Sequence, residues 1–356
     1  MLKRKISGWR IIEYSSTAIE IIGSIGIGLL AGGIILTLLG YDPFEGLSLL
    51  LFGGFGDIDY LLSRATFIMM TGLAFAIPML SGFFNIGGEG QMYVGGLVSL
   101  LVAVYTGNGI LALIVGGLAG ALLGLAISAL KVYRGVNEVI TAIMLNWTFY
   151  YILIYLITSK FYDPLAPHES VKVPALARFG VIELGGSRIH IIFFISLALV
   201  LLAYYLLFFT KLGYEIRVAG LSPKTARYAG INPNRAILYS MFLGGLFAGF
   251  SGALNVLGFT YYIDNLLTCM HGIGFDGIGV ALMGRNHPIG IIFSSIFFSM
   301  LILGGQTMQI VINAPKELAD TLSGIIIIAL ALPYTYRMLI SYIRTRRLVG
   351  KGVSSS

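Results

Sequence analysis

The chain predicts an all-α, polytopic membrane protein, and three observations carry that prediction. Of its 356 residues, 57% are apolar and only 11% charged, against roughly 25% charged in a soluble domain. The apolar residues fall in long runs, and a run of about 20 spans a bilayer as a helix. Glycine, at 47 residues, is about twice its usual share, as expected where membrane helices approach closely through small residues.

The runs justify about ten transmembrane helices. The first, 21–39, follows a basic N-terminal segment (1–20, with Lys3, Arg4, Lys5 and Arg10). No small-residue cleavage site follows it, so it reads as a retained helix and not as a removed signal peptide. Runs at 65–84, 91–106, 109–130 and 139–158 come next, of which 91–106 is short. A long loop at 159–189 precedes the run at 190–210, and a second loop at 211–235 precedes 236–258. The run at 273–284 is too short to span as a regular helix, and 288–312 and 319–338 complete the transmembrane domain, 21–338. A basic tail, 339–356, ends the chain.

If the N-terminus is cytoplasmic and each run crosses once, both termini are cytoplasmic. Six of the 23 lysines and arginines then lie outside (Arg64, Lys160, Lys172, Arg178, Arg188 and Lys316) and the other 17 inside. That asymmetry is the positive-inside rule at work. The net charge of +7 is therefore mostly topology, and a nucleic-acid partner is excluded. One cysteine, Cys269, cannot form an internal disulfide. The four histidines, His168, His190, His271 and His287, show no metal-ligand spacing, and no nucleophile–base set appears, so the chain reads as a non-enzyme without a cofactor of its own.

The octapeptide Phe84-Asn85-Ile86-Gly87-Gly88-Glu89-Gly90-Gln91 breaks the pattern. Three glycines interrupt any helix there, and three polar side chains sit where lipid satisfies none of them. Non-helical backbone at membrane depth survives only when buried in protein or lining a cavity, and a carboxylate there is a functional candidate. Asn85, Glu89, Gln91, Asn146, Trp147 and Gln306 are accordingly the candidate wall of a solute pathway, with Phe149 near Trp147 as a further stacking surface. An unpaired polar group in an apolar setting costs about 2–7 kcal/mol, and amides and hydroxyls can replace the water a solute loses. The same amides can instead join helix to helix, Trp147 can be packing, and Glu89 can hold the break together by accepting backbone N–H bonds from its glycine-rich surroundings, with a nearby helix N-terminus stabilising its charge. Glu138 and Asp276 read as first-turn acids. A second glycine-rich interruption follows at Gly272-Ile273-Gly274, Gly277 and Gly279.

In the inner loop, Ser222 to Gly230 reads as a complete short helix: Ser222 as N-cap, Pro223 at the first position and Gly230 past the end. Its basic Lys224 and Arg227 suit either lipid headgroups or a soluble partner. The outer loop, rich in turn formers, suits a solvated connection or a docking surface.

Four segments resemble the branched-chain amino acid, ribose and nucleoside class of ABC-importer permeases. These are Asn85–Gln91, Gly135–Ile140 with Met144–Trp147, Gly213–Gly220 with its continuation through Pro223 and Ala226–Ile231, and Gly277–Pro288. The second is similar to the branch paired with nucleoside-binding lipoproteins. The resemblance implies a subunit of an ATP-driven importer in the cell membrane, working by alternating access on a small-molecule solute. It implies a separate ATPase subunit carrying ATP and Mg, a second permease subunit (the same or homologous), and an external solute-binding lipoprotein. It also implies that Gly220, Ser222, Pro223, Arg227, Tyr228 and Gly230 form the helix coupling to the ATPase. The chain itself holds no Gly-x-x-x-x-Gly-Lys-Ser/Thr phosphate loop. A sugar importer and an autonomous ion-coupled transporter with Glu89 or Asp276 as its acid are the alternatives.

Overall fold

The computed structural model describes residues 23–184 and 187–330; the expected N-terminal segment 1–20 and basic tail 339–356 lie outside them. Side-chain caps set the starts of several helices. Helix α1 is Gly23–Leu38. Next, α2, Pro43–Phe52, starts on Asp42, whose carboxylate accepts from the backbone of Phe44 and Glu45, with Pro43 at the first position. A short 3₁₀ turn, Gly53–Gly56, leads to α3, Ile58–Leu80, capped by Asp57 and carrying Pro78 in its last turn. Helix α4 is Gly88–Thr106. Helix α5, Gly109–Arg134, is capped by Asn108 and closed by left-handed Gly135. In α6, Glu138–Ser159, Asn137 is the cap, and the first-turn acid Glu138 pairs with Lys131 at 2.8 Å.

The loop at 159–189 is not featureless. Antiparallel strands β1 (Tyr162–Asp163) with β2 (Ala166–Ser170), and β3 (Val181–Leu184) with β4 (Ser187–His190), make two small hairpins, which qualifies the all-α expectation. Helix α7, Ile191–Phe209, follows, then α8, Lys211–Leu221, and α9, Pro223–Tyr228. Helix α10, Pro233–Asn255, ends in one π-helical turn, Val256–Thr260. The chain closes with α11, Ile273–Met283, α12, Pro288–Ile312, and α13, which runs over 316–330 within the described residues.

Among the described residues, six helices are long and apolar enough to cross a membrane: α3, α5, α6, α7, α12, and α10 with its π turn. Predicted span 91–106 corresponds to α4, which is not among the six because its first turn holds Glu89 and Gln91. Predicted spans 21–39 and 273–284 are the shorter apolar helices α1 and α11. Span 65–84 shifts: α3 starts at Ile58 and ends at Leu80, leaving 81–87 as irregular backbone. The far end of 319–338 lies outside the described residues.

The chain divides into two compact units, 57–299 and the remainder. In the first, α10 runs against α4 and α5 along glycines. Gly116, Gly120 and Gly124 of α5 face Met241, Gly245 and Gly249 of α10, and Gly252 of α10 faces Met92 and Gly96 of α4. A Cβ on Gly120 would lie 2.5 Å from the Gly245 carbonyl oxygen and 2.7 Å from the Gly249 Cα. Backbone therefore packs on backbone, as close approach between membrane helices requires. In the other unit, α1 packs on α13, with Gly28 and Gly32 facing Ile326 and Leu322.

Candidate functional site

The break at 81–87 is built from satisfied polar groups. The Ser81 and Ser240 hydroxyls share a hydrogen bond of 2.7 Å. Asn85 donates to the Ala74 carbonyl at 2.9 Å and to Gln91 Oε1 at 3.1 Å, and it accepts from the Gly87 N–H at 3.0 Å. Gln91 returns a bond to Asn85 Oδ1 at 3.3 Å. Asn146 of α6 donates to the Ile86 carbonyl at 3.0 Å and accepts from the Gly90 N–H at 2.9 Å. Because buried polar groups demand partners, these amides fix an otherwise unstable piece of backbone.

Glu89 is the centre of the arrangement. It sits in the first turn of α4, 3% exposed, and its carboxylate reaches across to α11. Oε1 accepts from the Gly272 N–H at 2.6 Å and Oε2 from the Gly274 N–H at 2.6 Å. The Tyr93 hydroxyl, one turn along α4, donates to Oε1 at 2.5 Å. Glu89 thus occupies the positive ends of two helices at once, since α4 begins at Gly88 and α11 at Ile273. Glycine is required at 274, where a Cβ would lie 2.6 Å from the Glu89 Cα. The start of α11 is held a second time by Thr71 of α3, whose hydroxyl donates to the Ile273 carbonyl at 2.9 Å.

This junction lies deep in the helical layer. Asn146, bonded to Gly90, is eight residues beyond the start of α6, about 12 Å along a helix of about 33 Å. Two stretches of irregular backbone, 81–87 and 261–272, therefore end at one depth, with their following helices starting beside each other. In secondary transporters, interrupted segments in corresponding halves are a pointer to the binding site.

A cleft opens against the junction, lined by Glu89, Tyr93, Asn146, Trp147, Tyr150 and His271, with Ile143 and Phe275. Its rings are mutually packed: Trp147 and Tyr150 meet edge to face at 5.5 Å, and Tyr150 lies 5.9 Å from both Tyr93 and His271. The free volume is about 50 Å³, well below the roughly 300–1,000 Å³ of an occupied small-molecule site. In this conformation the cleft is too small to hold a small-molecule solute.

Of the six sequence candidates, the structure brings Glu89, Asn146 and Trp147 to this cleft. Asn85 and Gln91, 2% and 0% exposed, lie behind it, bonded to each other as a helix joint. Gln306 is exposed and belongs to the other compact unit. Three residues that sequence reasoning passed over belong here: Tyr93, Tyr150 and His271. Only the placement of His271 next to the glycines at 272 and 274 hinted at its role. Asp276, read as a first-turn acid of α11, does sit in that turn and also meets Arg64 at 3.5 Å.

The short helix expected in the loop at 211–235 also forms. The Ser222 hydroxyl accepts from the Thr225 N–H at 3.3 Å, Pro223 takes the first position, and Gly230 is left-handed at φ +77°. Ala226 is fully buried and anchors α9, while Tyr228 is 95% exposed and Arg227 is exposed. At the end of α8, Gly220 lies directly against the backbone of Leu80 and Gly82, where the break begins.

Residues 58–331 match the family described as branched-chain amino acid transport system / permease component. The chain is 31% identical over 330 residues to the guanosine ABC transporter permease protein NupP of Bacillus subtilis, covering 90% of this chain and 94% of that one. It is 31% identical over 341 residues to the nucleoside ABC transporter permease protein NupB of Lactococcus lactis, covering 89% and 91%. It is 27% identical over 349 residues to the glucose ABC transporter permease protein TsgB13 of Haloferax volcanii, covering 92% and 89%. No solved structure matches the chain. A deep, glycine-rich junction beneath a small cleft, in a bundle with this relationship along its length, identifies the chain as a member of the branched-chain amino acid transport system / permease component family, a multi-pass plasma-membrane permease subunit of an ABC transporter.

Proposed function

We propose that this permease imports nucleosides. The observation that carries the reading is its 31% identity, along nine-tenths of its length, to a permease named for guanosine. The cleft suits such a solute, because rings can stack on a base while His271 offers a polar atom. The exposed face of α6 supports a pathway role. Trp147 and Tyr151, 52% and 64% exposed, occupy its middle turns, where lipid could not satisfy a tyrosine hydroxyl. That face therefore meets a water-filled passage or the second permease subunit. A sugar is the second reading, on the 27% identity to a glucose permease.

In this account both termini and α9 are cytoplasmic, an external lipoprotein delivers the solute, and a separate ATPase subunit carries ATP, Mg and the hydrolytic chemistry. This chain adds neither a cofactor nor catalysis. Movement of the ATPase reaches α9 through Arg227 and Tyr228 and passes along α8 to Gly220. It arrives at Leu80 and Gly82 and so at the start of the break that ends in Glu89. Arg227→Glu is expected to lower ATP-driven uptake at least tenfold while the thermal stability of the purified permease stays within about 0.5 kcal/mol of wild type, as is usual for an exposed substitution. Uptake at the wild-type rate would remove the coupling assignment. The partner set is tested by purifying the tagged chain in mild detergent: an ATPase subunit with a phosphate loop should accompany it. A chain that emerges alone and takes up solute on an ion gradient would overturn the importer reading.

A further inference from the structure

We infer that His271 reads a hydrogen-bond donor on the solute, and that Tyr93 and Glu89 fix the histidine tautomer that makes this possible. The inference rests on the nucleoside reading of the cleft and names the feature of the base that is recognised: an N–H on its edge, as at N1 of guanosine.

The argument follows the protons. The Glu89 carboxylate meets three donors, the two backbone N–H groups of Gly272 and Gly274 and the Tyr93 hydroxyl, and acts towards each of them as the acceptor. Tyr93 has one hydroxyl hydrogen, and it is committed to Glu89 at 2.5 Å. The same oxygen lies 3.2 Å from His271 Nδ1 and can only accept from it. His271 therefore carries its proton on Nδ1. In the neutral ring the other nitrogen, Nε2, is then bare and an acceptor. The His271 side chain is 57% exposed and lines the cleft with Trp147, Tyr150 and Phe275, so the acceptor is available beside three stacking surfaces. Glu89, Tyr93 and Tyr150 are the titratable groups packed around it. A base with an N–H edge completes the chain solute → His271 → Tyr93 → Glu89, each donor meeting one acceptor. In this scheme Tyr93 is a positioning residue, and His271 touches the solute.

The test uses the complete importer, with its ATPase, second permease and binding protein, reconstituted in liposomes in mildly alkaline buffer. ATP-driven uptake of guanosine is compared with that of 1-methylguanosine, which lacks the N1–H. The binding protein is the same in every arm, so a change in the ratio of rates on going to Tyr93→Phe belongs to this chain. Wild type is expected to favour guanosine. Tyr93→Phe, which frees His271 to place its proton on Nε2, is expected to reduce that preference about fivefold to tenfold, the worth of one hydrogen bond. Equal slowing of both solutes would mean that Tyr93 only packs, and overturns the inference. A second measurement does not depend on transport. The chain has four histidines, so ¹⁵N-histidine labelling of this subunit resolves them, with the His271 signals assigned by their loss in His271→Gln. A protonated Nδ1 and a bare Nε2 that shifts when guanosine is added are expected. A protonated Nε2 with bare Nδ1 overturns the tautomer assignment. A wild-type importer that carries glucose and no nucleoside refutes the nucleoside reading instead, and shows it in the uptake arm alone.

Discussion

Replacing Glu89 with alanine is expected to abolish uptake and to destabilise the permease by about 3–6 kcal/mol, because three donors lose their acceptor together. A buried donor left without a partner costs about 1–3 kcal/mol, and here the orphans are the N–H groups of Gly272 and Gly274 and the Tyr93 hydroxyl. Asn85 and Gln91 are committed to each other, and Asn146 is committed to Ile86 and Gly90; only the Tyr93 hydroxyl has another acceptor in reach, His271 Nδ1 at 3.2 Å, which keeps the loss in the lower part of the summed range. The start of α11 would keep its bond to Thr71 and the pairing of Asp276 with Arg64. Glu89→Gln separates shape from charge. It retains one acceptor oxygen but turns an amide donor towards a backbone N–H, so its melting temperature should fall between those of wild type and Glu89→Ala. Thermal unfolding in detergent, run beside uptake, checks both. Glu89→Ala melting like wild type would mean that the carboxylate does not hold the two helix starts together.

The second large effect is steric. Gly249→Leu is expected to prevent the bundle from assembling, seen as loss of a monodisperse peak on size exclusion. A Cβ at 249 would lie 2.6 Å from the Gly116 carbonyl oxygen and 2.9 Å from the Gly117 Cα. Overpacking ordinarily costs about 1–3 kcal/mol, but that range assumes side chains that can yield. Here the obstacle is backbone, so α5 and α10 must separate along their shared length. Gly26→Ala is the control, since nothing lies within 4 Å of the added Cβ; it should behave as wild type. A monodisperse Gly249→Leu protein with unchanged melting would contradict the glycine-to-glycine packing.

Much of this architecture was legible in the residues, for a physical reason. Long apolar runs have one stable conformation in lipid, so α12 falls on its predicted 288–312 and α5, α6 and α7 fall within a few residues of theirs. The cap and proline at Ser222 and Pro223 likewise set α9 locally. Elements stabilised by partners distant in sequence were harder to read. Helix α2 is too short for a span, so hydropathy passes over it. The hairpins of the loop at 159–189 depend on pairings such as Val181 with His190. Hydropathy places the start of α3 several residues late, because Asp59 and Arg64 lower the hydropathy of its first turns. At the site, the octapeptide pointed to Glu89, and the structural alternative raised for it, a carboxylate holding the break through backbone N–H bonds, matches the geometry. The donors come from Gly272 and Gly274, however, some 180 residues away, and not from the surrounding glycines. No local pattern could have shown that Asn85 pairs with Gln91 behind the cleft while His271 comes to its edge.

The central claim is that this chain moves nucleosides under force from an ATPase. The most direct measurement is uptake of radiolabelled guanosine by liposomes containing the assembled importer, with and without ATP, in the absence of any ion gradient. The account predicts accumulation that requires ATP, requires the binding protein, and is lost in Arg227→Glu. Accumulation that ignores ATP and follows an imposed proton or sodium gradient would contradict it.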